Sequence, residues 1–233
     1  MLPADLQAAE EQAIHALRSA LAADAGGRWT VEWRFEGLRL LPPALRIARA
    51  LEAGGVDLRL LFPDAGAAAL ARRDGSDLAG QIIDFGALLR PPAGAAGCGG
   101  ERPLLLAVAP SPADYEEFVQ ICAGHRGPVV MLNGRLEDAA VGIGSVARQR
   151  RRGFLAQWQA AYAVMPVEGG ALRRAHPRAW EVHREDPDGF RLVATFAQKP
   201  DPEEQATALA GADGIGLGGN LRVLDAFIEG LRH

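Results

Sequence analysis

Arginine side chains dominate the chemistry that this sequence could perform, and spacing sets one of them apart. At roughly 100° per residue, the helical pattern from Gly144 to Tyr162 places Arg151 on one face with Phe154 and Trp158. An unpaired charge on such an apolar stripe would be costly. A guanidinium group binds a carboxylate or a phosphate through two parallel hydrogen bonds. The pattern therefore predicts an anionic partner for Arg151, which is flanked by Arg148.

Three apolar runs in the sequence each end in polar residues. In open sheets of parallel strands, ligands bind beyond the carboxyl ends of the strands. The polar residues after these runs would then lie together, close to the arginine-rich helix. The predicted ligand- or anion-binding residues are Asp64, Asn133, Arg135, Asp138, Arg148 and Arg151.

Each of these residues also has a plainer interpretation. Asp64 and Ser111 have the short oxygen-bearing side chains that cap helix N-termini, and Asn133-Gly134 is a turn-favouring pair. For Arg151, an internal salt bridge is the alternative to a bound ligand. The candidate carboxylates for that salt bridge are Asp64, Glu137 and Asp138.

A second basic stretch, from Leu172 to Trp180, indicates a surface rather than a pocket. Arg173, Arg174 and Trp180 are its candidate partner-binding residues, directed at an acidic protein or an anionic surface. The alternative is a hairpin whose charges are only solvated. Both interpretations stay open at the level of sequence.

Motifs for cofactor, metal and nucleophile chemistry do not emerge. Gly214-Ile-Gly216-Leu-Gly218-Gly219 resembles a dinucleotide fingerprint, but that fingerprint needs a strand before it and a second strand beyond. The five histidines and two cysteines lack ligand spacing, and there is no Gly-x-Ser-x-Gly elbow. The sequence predicts no cofactor and no metal, and it leaves open whether the protein is an enzyme.

Composition narrows the class of protein. With 233 residues, 48% of them hydrophobic, and a net charge of −4, the chain is expected to be soluble and not to bind nucleic acid. Lys199 is the one lysine among 25 basic residues, a bias typical of GC-rich genomes, so arginine abundance alone decides little. The N-terminus is unlike a signal peptide, and no transmembrane segment is predicted. A cytoplasmic protein is expected, with peripheral membrane contact left open.

Helical and strand patterns alternate along most of the chain. Helices are predicted at 5–23, 45–51, 65–73, 114–123, 144–162 and 221–231. Strands are predicted at 29–35, 58–62, 82–89, 104–109 and 129–132, with antiparallel edge strands at 163–166, 180–184 and 190–196. This order predicts an α/β, Rossmann-like three-layer fold with a mainly parallel sheet and a C-terminal antiparallel edge hairpin. One domain over 1–233 is expected, with a flexible loop near 91–100 and a glycine-rich connection near 211–219.

Several short motifs, in this order, resemble those of one family. They include Trp29-Thr-Val-Glu-Trp33, Leu60-Leu-Phe-Pro-Asp-Ala-Gly66, Val130-Met-Leu-Asn133 and Arg135-Leu-Glu-Asp138. On these residues the chain resembles the domain-of-unknown-function family nineteen-ninety-five (DUF1995) of cyanobacteria and chloroplasts. Members include a chloroplast protein named for low photosystem II accumulation, and a related domain accompanies adenylate kinase in some plant proteins. The family supplies no catalytic residues to carry over.

The resemblance implies an oxygenic phototroph and an accessory role in photosystem II assembly or maintenance through protein contacts. Photosystem II subunits or assembly factors are the implied partners, and the thylakoid surface is the implied location. The residues themselves suggest the alternative: a binding protein or enzyme for a phosphorylated or nucleotide-like small molecule at the carboxyl edge of the sheet. Both are hypotheses at this stage.

Overall fold

The structure, a computed structural model, describes residues 1–90, 102–136 and 152–214. Its strands are β1 Arg28–Trp33, β2 Leu58–Phe62, β3 Ile82–Asp84, β4 Leu104–Val108, β5 Val129–Leu132, β6 Gln159–Val167, β7 Gly170–Ala175, β8 Trp180–Asp186 and β9 Gly189–Phe196. Its helices are α1 Leu6–Ala23, α2 Leu41–Ala53, α3 Ala65–Asp74, α4 Phe85–Leu89, α5 Tyr115–Gly124 and α6 Pro202–Gly214. The predicted mixed α/β, Rossmann-like fold is confirmed: the sheet is mostly parallel, and the antiparallel strands are C-terminal.

Contacts divide the chain into two compact units. The first comprises Met1–Met165 together with Arg174–Arg178, and the second comprises Pro166–Arg173 and the chain from Ala179 onward. The first unit is therefore discontinuous in sequence, because the chain leaves it within β6 and returns to it within β7. No linker-like composition marks these crossings, which is why the sequence pattern indicates a single domain.

Six parallel strands form the sheet of the first unit, in the order β3-β2-β4-β5-β1-β6. One row of the register runs across all six of them. The residues of this row are Ile82, Leu60, Leu106, Val130, Trp29 and Gln159. Because these strands are parallel, their carboxyl ends lie at one edge of the sheet.

The central strand β4 shows why three layers form. Leu104, Leu106 and Val108 belong to the apolar cluster that contains α1, α2 and α3, whereas Leu105 and Ala107 belong to the cluster that contains α4 and α5. All five residues are buried. A strand covered by helices on both faces reads as a continuous apolar run, and this one does.

The second unit is built on the antiparallel strands β7, β8 and β9. Arg173 pairs with Glu181 across β7 and β8, and Asp186 pairs with Gly189 at the tight end of β8 and β9. The hairpin predicted between the last two strands is therefore confirmed. Helix α6 contacts β8 and β9.

The strand predicted at 82–89 is correct only at its beginning. β3 ends at Asp84, and a helix follows immediately because the Asp84 carboxylate accepts a hydrogen bond of 2.8 Å from the backbone N–H of Ala87. The apolar run at 82–89, which is predicted as one strand, therefore forms a strand followed by a short helix that begins at this N-cap.

The helix predicted at 144–162 is wrong at its C-terminal end. Residues 152–155 are helical, but Tyr162 lies in β6 and pairs in parallel with Val31 of β1. The antiparallel strand predicted at 163–166 is part of the same parallel strand. Phe154 and Trp158 nevertheless face the core as the pattern predicts, since both rings pack on Phe118 of α5.

Two elements have no counterpart among the predictions, β7 and α6. Helix α6 is started by a reciprocal pair, in which Asp201 accepts from the N–H of Glu204 and Glu204 accepts from the N–H of Asp201. Gly211, at φ 67°, interrupts the helix near its end. The loop predicted near 91–100, the helix predicted at 221–231 and the glycine-rich connection after residue 214 lie outside the described residues.

Candidate functional site

The carboxyl edge of the parallel sheet is the candidate site. β2, β4 and β5 are neighbours with the same direction, so Asp64, Ser111 and Asn133 all follow strands at this edge. Helix α3, which follows β2, packs in one core cluster, and α5, which follows β4, packs in the other. The chain thus leaves these two adjacent strands toward opposite faces. Such a switch point is where open α/β sheets bind ligands.

Asp64 lies at the β2 side of this switch point, and its side chain hydrogen-bonds to the backbone. Its carboxylate accepts a hydrogen bond of 2.9 Å from the N–H of Ala67, and it is the N-cap of α3. The side chain remains exposed to solvent. Capping was the plainer interpretation of this residue, and it accounts for the position of the carboxylate.

Ser111 lies at the β4 side and is held in a capping box with Asp114. One Asp114 oxygen accepts from the Ser111 N–H at 2.8 Å and from the Ser111 hydroxyl at 2.5 Å. Pro112–Asp114 forms a single 3-10 turn that leads into α5. These two side chains satisfy each other at the start of the helix.

Asn133 links the end of β5 to the end of β1. Its Oδ1 accepts from the N–H of Trp33 at 2.6 Å, and its Nδ2 donates to the carbonyl of Trp33 at 2.8 Å. Both ends of the amide are therefore engaged with main-chain atoms. The residue has φ 50°, a left-handed conformation that asparagine tolerates better than most residues.

Gly134 and Arg135 complete the β5 ending. A Cβ at Gly134 would collide with the side chain of Met131, so any other residue there would force Met131 to move. The N–H of Arg135 donates to the carbonyl of Pro110 at 2.9 Å and ties the β5 ending to the β4 ending. The Arg135 side chain is exposed. Of the arginines predicted at this edge, Arg135 is the one that lies within the described residues.

The remaining predicted members, Asp138, Arg148 and Arg151, lie outside the described residues, as does Glu137. The structure therefore brings Asp64, Asn133 and Arg135 to one edge and leaves the anionic partner of Arg151 a prediction. Ala109, directly after β4, also has φ 50°. Within the described ranges, it and Asn133 are the residues other than glycine with positive φ, and strained backbone is concentrated at functional sites.

Cys122 does not provide a nucleophile. Its side chain is buried, and burial raises the pKa of the thiol to about 12. The thiolate form required for attack is therefore negligible at neutral pH. Burial also lowers the pKa of His125, whose Nε2 lies 3.0 Å from the carbonyl of Pro103.

The partner-binding residues predicted in the basic stretch are mostly interior. Arg173 and Trp180 are 5% and 7% exposed, so these two side chains do not form the surface patch that the sequence suggests. The physical reason for Arg173 is its partner: Nη1 lies 2.8 Å from Glu181 Oε2. Arg174 is partly buried, and its Nε donates to the carbonyl of Ala160 at 3.3 Å. Desolvation lowers the pKa of Arg174.

The buried cluster of Arg173, Glu181 and His183 was missed at the level of sequence. His183 Nε2 lies 3.1 Å from the same Glu181 oxygen that Arg173 binds. Burial alone would raise the pKa of Glu181, but the hydrogen bonds from Arg173 and His183 outweigh it and hold the pKa below its usual value. Antiparallel pairing of Arg173 with Glu181 around a turn at residues 176–179 is the signal that could have revealed the cluster.

Metal binding and membrane insertion receive no support from residues 1–90, 102–136 and 152–214. No three histidine, cysteine or carboxylate side chains in these ranges are grouped so as to hold a metal ion. No helix in the same ranges is both long and apolar enough to cross a membrane.

Comparison with known proteins supports the family resemblance noted in the sequence. No curated protein matches the chain significantly. The model of the family described as Domain of unknown function (DUF1995) matches residues 3–207, which includes β1 to β9 and every strand ending described above. Since this match spans most of the 233 residues, the chain belongs to the DUF1995 family.

Proposed function

We propose that this protein is an accessory protein of oxygenic phototrophs that assists photosystem II assembly or maintenance through protein contacts. The resemblance to family members connected with photosystem II accumulation suggests the process. The observation that favours contacts over catalysis is the engagement of the polar side chains at the carboxyl edge. Asp64 and Asn133 bond main-chain atoms, and Ser111 and Asp114 bond each other.

Strand β9 offers the surface that such contacts need. Phe190 and Leu192 are 52% and 50% exposed, and both lie on one face of the strand, opposite Glu185 and His183 of β8. In the described part of the chain, β8 is the one strand that pairs with β9. An edge strand with exposed apolar side chains can add a strand from a partner protein.

The experiment is a pull-down from detergent-solubilised thylakoid membranes, with the full chain as bait and photosystem II subunits and assembly factors as the readout. The double variant Phe190→Ser, Leu192→Ser removes the apolar face of β9. Leu70→Ser is the matched control, because Leu70 is 43% exposed on α3. We expect the native chain and the control to retain these subunits and the double variant to lose most of them.

Failure to recover any photosystem II component with the native chain contradicts the proposed role. Equal recovery with the double variant keeps the role and excludes β9 as its surface. Circular dichroism of all three proteins checks that the fold is intact, which the exposure of these side chains leads us to expect.

A second candidate function is binding of a phosphate-bearing small molecule at the switch point between β2 and β4. The exposed Arg135 and the positive φ of Ala109 and Asn133 favour it. A ligand at about 100 times its dissociation constant stabilises the native state by roughly 2.7 kcal/mol. Thermal shift against nucleotides and sugar phosphates tests this, with Arg135→Gln as the variant and Arg178→Gln as an exposed-arginine control. The absence of any shift contradicts this alternative.

A further inference from the structure

A cavity of about 640 Å³ lies on the face of the first unit's sheet that carries α4 and α5. Helix α4, which contributes Leu88 and Leu89 to its lining, is short. This helix starts at the carboxyl edge, directly after β3, and has five residues, or roughly 7.5 Å at 1.5 Å per residue. Strand β4 has five residues and spans roughly 16 Å. Among the described residues, helix α4 therefore spans about half the length of the sheet beside α5, and the cavity lies toward the amino half.

The walls of this cavity are apolar. Ile83 and Leu105 contribute from strands β3 and β4, Leu88 and Leu89 from α4, and Ile121 from α5. The size falls within the range of roughly 300–1,000 Å³ that is typical of small-molecule sites. An apolar body of about a dozen carbons is thus the kind of ligand that these walls suit.

The rim carries charge of mostly one sign. Arg59, at the start of β2, and Arg102, just before β4, both line the cavity and are both exposed. Arg59 donates a weak hydrogen bond of 3.4 Å to the carbonyl of Gly80. Among the described residues, no carboxylate lies within the 4.0 Å of a salt bridge to either guanidinium. Asp57 lines the same rim, so two cations face one anion there.

His125 adds a polar group without adding charge. Burial lowers its pKa, which favours the uncharged form of the ring. Since the Pro103 carbonyl can only accept, Nε2 carries the proton in their 3.0 Å contact. Among the described residues that line the cavity, Arg59 and Arg102 therefore supply the positive charge.

We propose that this cavity binds an amphiphilic anion: a molecule with an apolar chain against the five aliphatic side chains and a carboxylate or phosphate head held by Arg59 and Arg102. Arginine forks bind either head group through paired hydrogen bonds. The site is separate from the carboxyl edge, because its rim is formed by the amino ends of β2 and β4.

The test is isothermal titration calorimetry of the full chain with dodecanoate and with dodecyl phosphate, both below their micellar concentrations. The two anions distinguish a carboxylate from a phosphate head. Dodecanol serves as the uncharged comparison. Arg59→Gln and Arg102→Gln remove one head-group contact each, and Arg126→Gln is the control, because Arg126 is exposed beside His125 but does not line the cavity.

We expect at least one of the two anions to bind, and each arginine substitution in the rim to weaken binding about tenfold or more, as the loss of a charge-assisted hydrogen bond does. The Arg126→Gln protein should bind like the native chain. No heat of binding with either anion overturns the proposal. Equal affinity for dodecanol, or unchanged affinity in both rim variants, overturns it as well. Leu89→Asp, which puts a carboxylate on an apolar wall, should abolish binding while its far-ultraviolet circular dichroism stays native.

Discussion

The carboxyl edge of the first unit and the β7–β8 hairpin of the second unit satisfy polar side chains in different ways. At the edge, Asp64 and Asn133 hydrogen-bond to main-chain groups. Asn133 is uncharged and the Asp64 side chain is exposed to solvent, so neither needs an oppositely charged side chain nearby. In the hairpin, Arg173, Glu181 and His183 are buried, and Arg173 and His183 both bond the Glu181 carboxylate. A net hydrogen bond contributes about 1 kcal/mol, whereas removing one partner of a buried ion pair costs about 3–5 kcal/mol. The positions that look most reactive in the sequence are therefore expected to matter less for stability than the interior of the hairpin.

The largest effect is expected from Glu181→Ala. This change takes the carboxylate away from the buried Arg173 and His183, and we expect a loss of about 3–5 kcal/mol in the free energy of unfolding. Urea unfolding followed by circular dichroism measures it. Glu185→Ala is the control, because Glu185 is exposed on the same strand.

The double variant Arg173→Met, Glu181→Leu sharpens that prediction. Replacing both charges by apolar groups of similar size should recover most of the stability lost in Glu181→Ala. If Glu181→Ala proves no more destabilising than Glu185→Ala, then the contrast between the hairpin and the edge is refuted.

A smaller effect is expected from Asn133→Ala. This protein loses two hydrogen bonds to Trp33 and places alanine at φ 50°, which together should cost about 2–3 kcal/mol. Asn133→Gly loses the same bonds without the steric penalty and should be about 1 kcal/mol more stable than Asn133→Ala. Unfolding in urea distinguishes them, and identical stabilities would show that the left-handed backbone is not under strain.

The effect of Asp64→Ala should be smaller still, about 1 kcal/mol, the usual loss when an N-cap is removed. Asp64→Ser keeps an acceptor for the Ala67 N–H and should be close to native. The thermal midpoint of unfolding is a suitable measure. A much larger loss would mean that the carboxylate does more than cap α3.

Acid titration of the hairpin is expected to give the smallest effect, because protonation removes the charge of Glu181 but not its side chain. The folded-state pKa of Glu181 is lowered, chiefly because its bonds to Arg173 and His183 overcome desolvation. Its contribution is therefore complete above the unfolded pKa of about 4.3 and is lost as pH falls through the folded value. The stability difference between native protein and Glu181→Gln should shrink below about pH 4. A difference that grows in acid contradicts the assigned direction.

Sequence patterns predict the parallel core of this fold well because its strands are buried on both faces. Leu58–Phe62 and Val129–Leu132 have the predicted bounds, since continuous apolar runs between turn residues leave little ambiguity. The failure at 144–162 has a physical cause. Phe154, Trp158 and Tyr162 recur every four residues as in a helix, although the first two pack on α5 and Tyr162 belongs to β6.

The hydrogen-bond partner of a polar side chain could be predicted from the sequence only where that partner lies a few residues away. The Asp201–Glu204 reciprocal pair at α6 and the Asp84 cap of α4 lie within three residues of their partners and were open to prediction. The clamp from Asn133 to Trp33 spans 100 residues of chain. It depends on strands β1 and β5 being adjacent, which no spacing rule supplies. The position of Asn133 at the edge of the sheet could be predicted from the sequence, but its hydrogen bonds to Trp33 could not.

The return of the chain to the first unit at Arg174–Arg178 bears on how the protein is synthesised. His176 in this return segment bonds Ala161 through its N–H at 2.8 Å, lies 3.2 Å from the Ser19 hydroxyl, and meets the ring of Trp29 edge-on. A nascent chain that has emerged only to residue 165 lacks all of these contacts. The ribosome, which adds roughly 5–20 residues per second, must therefore expose all of β7 and the return segment before the unit begun at residue 1 can close.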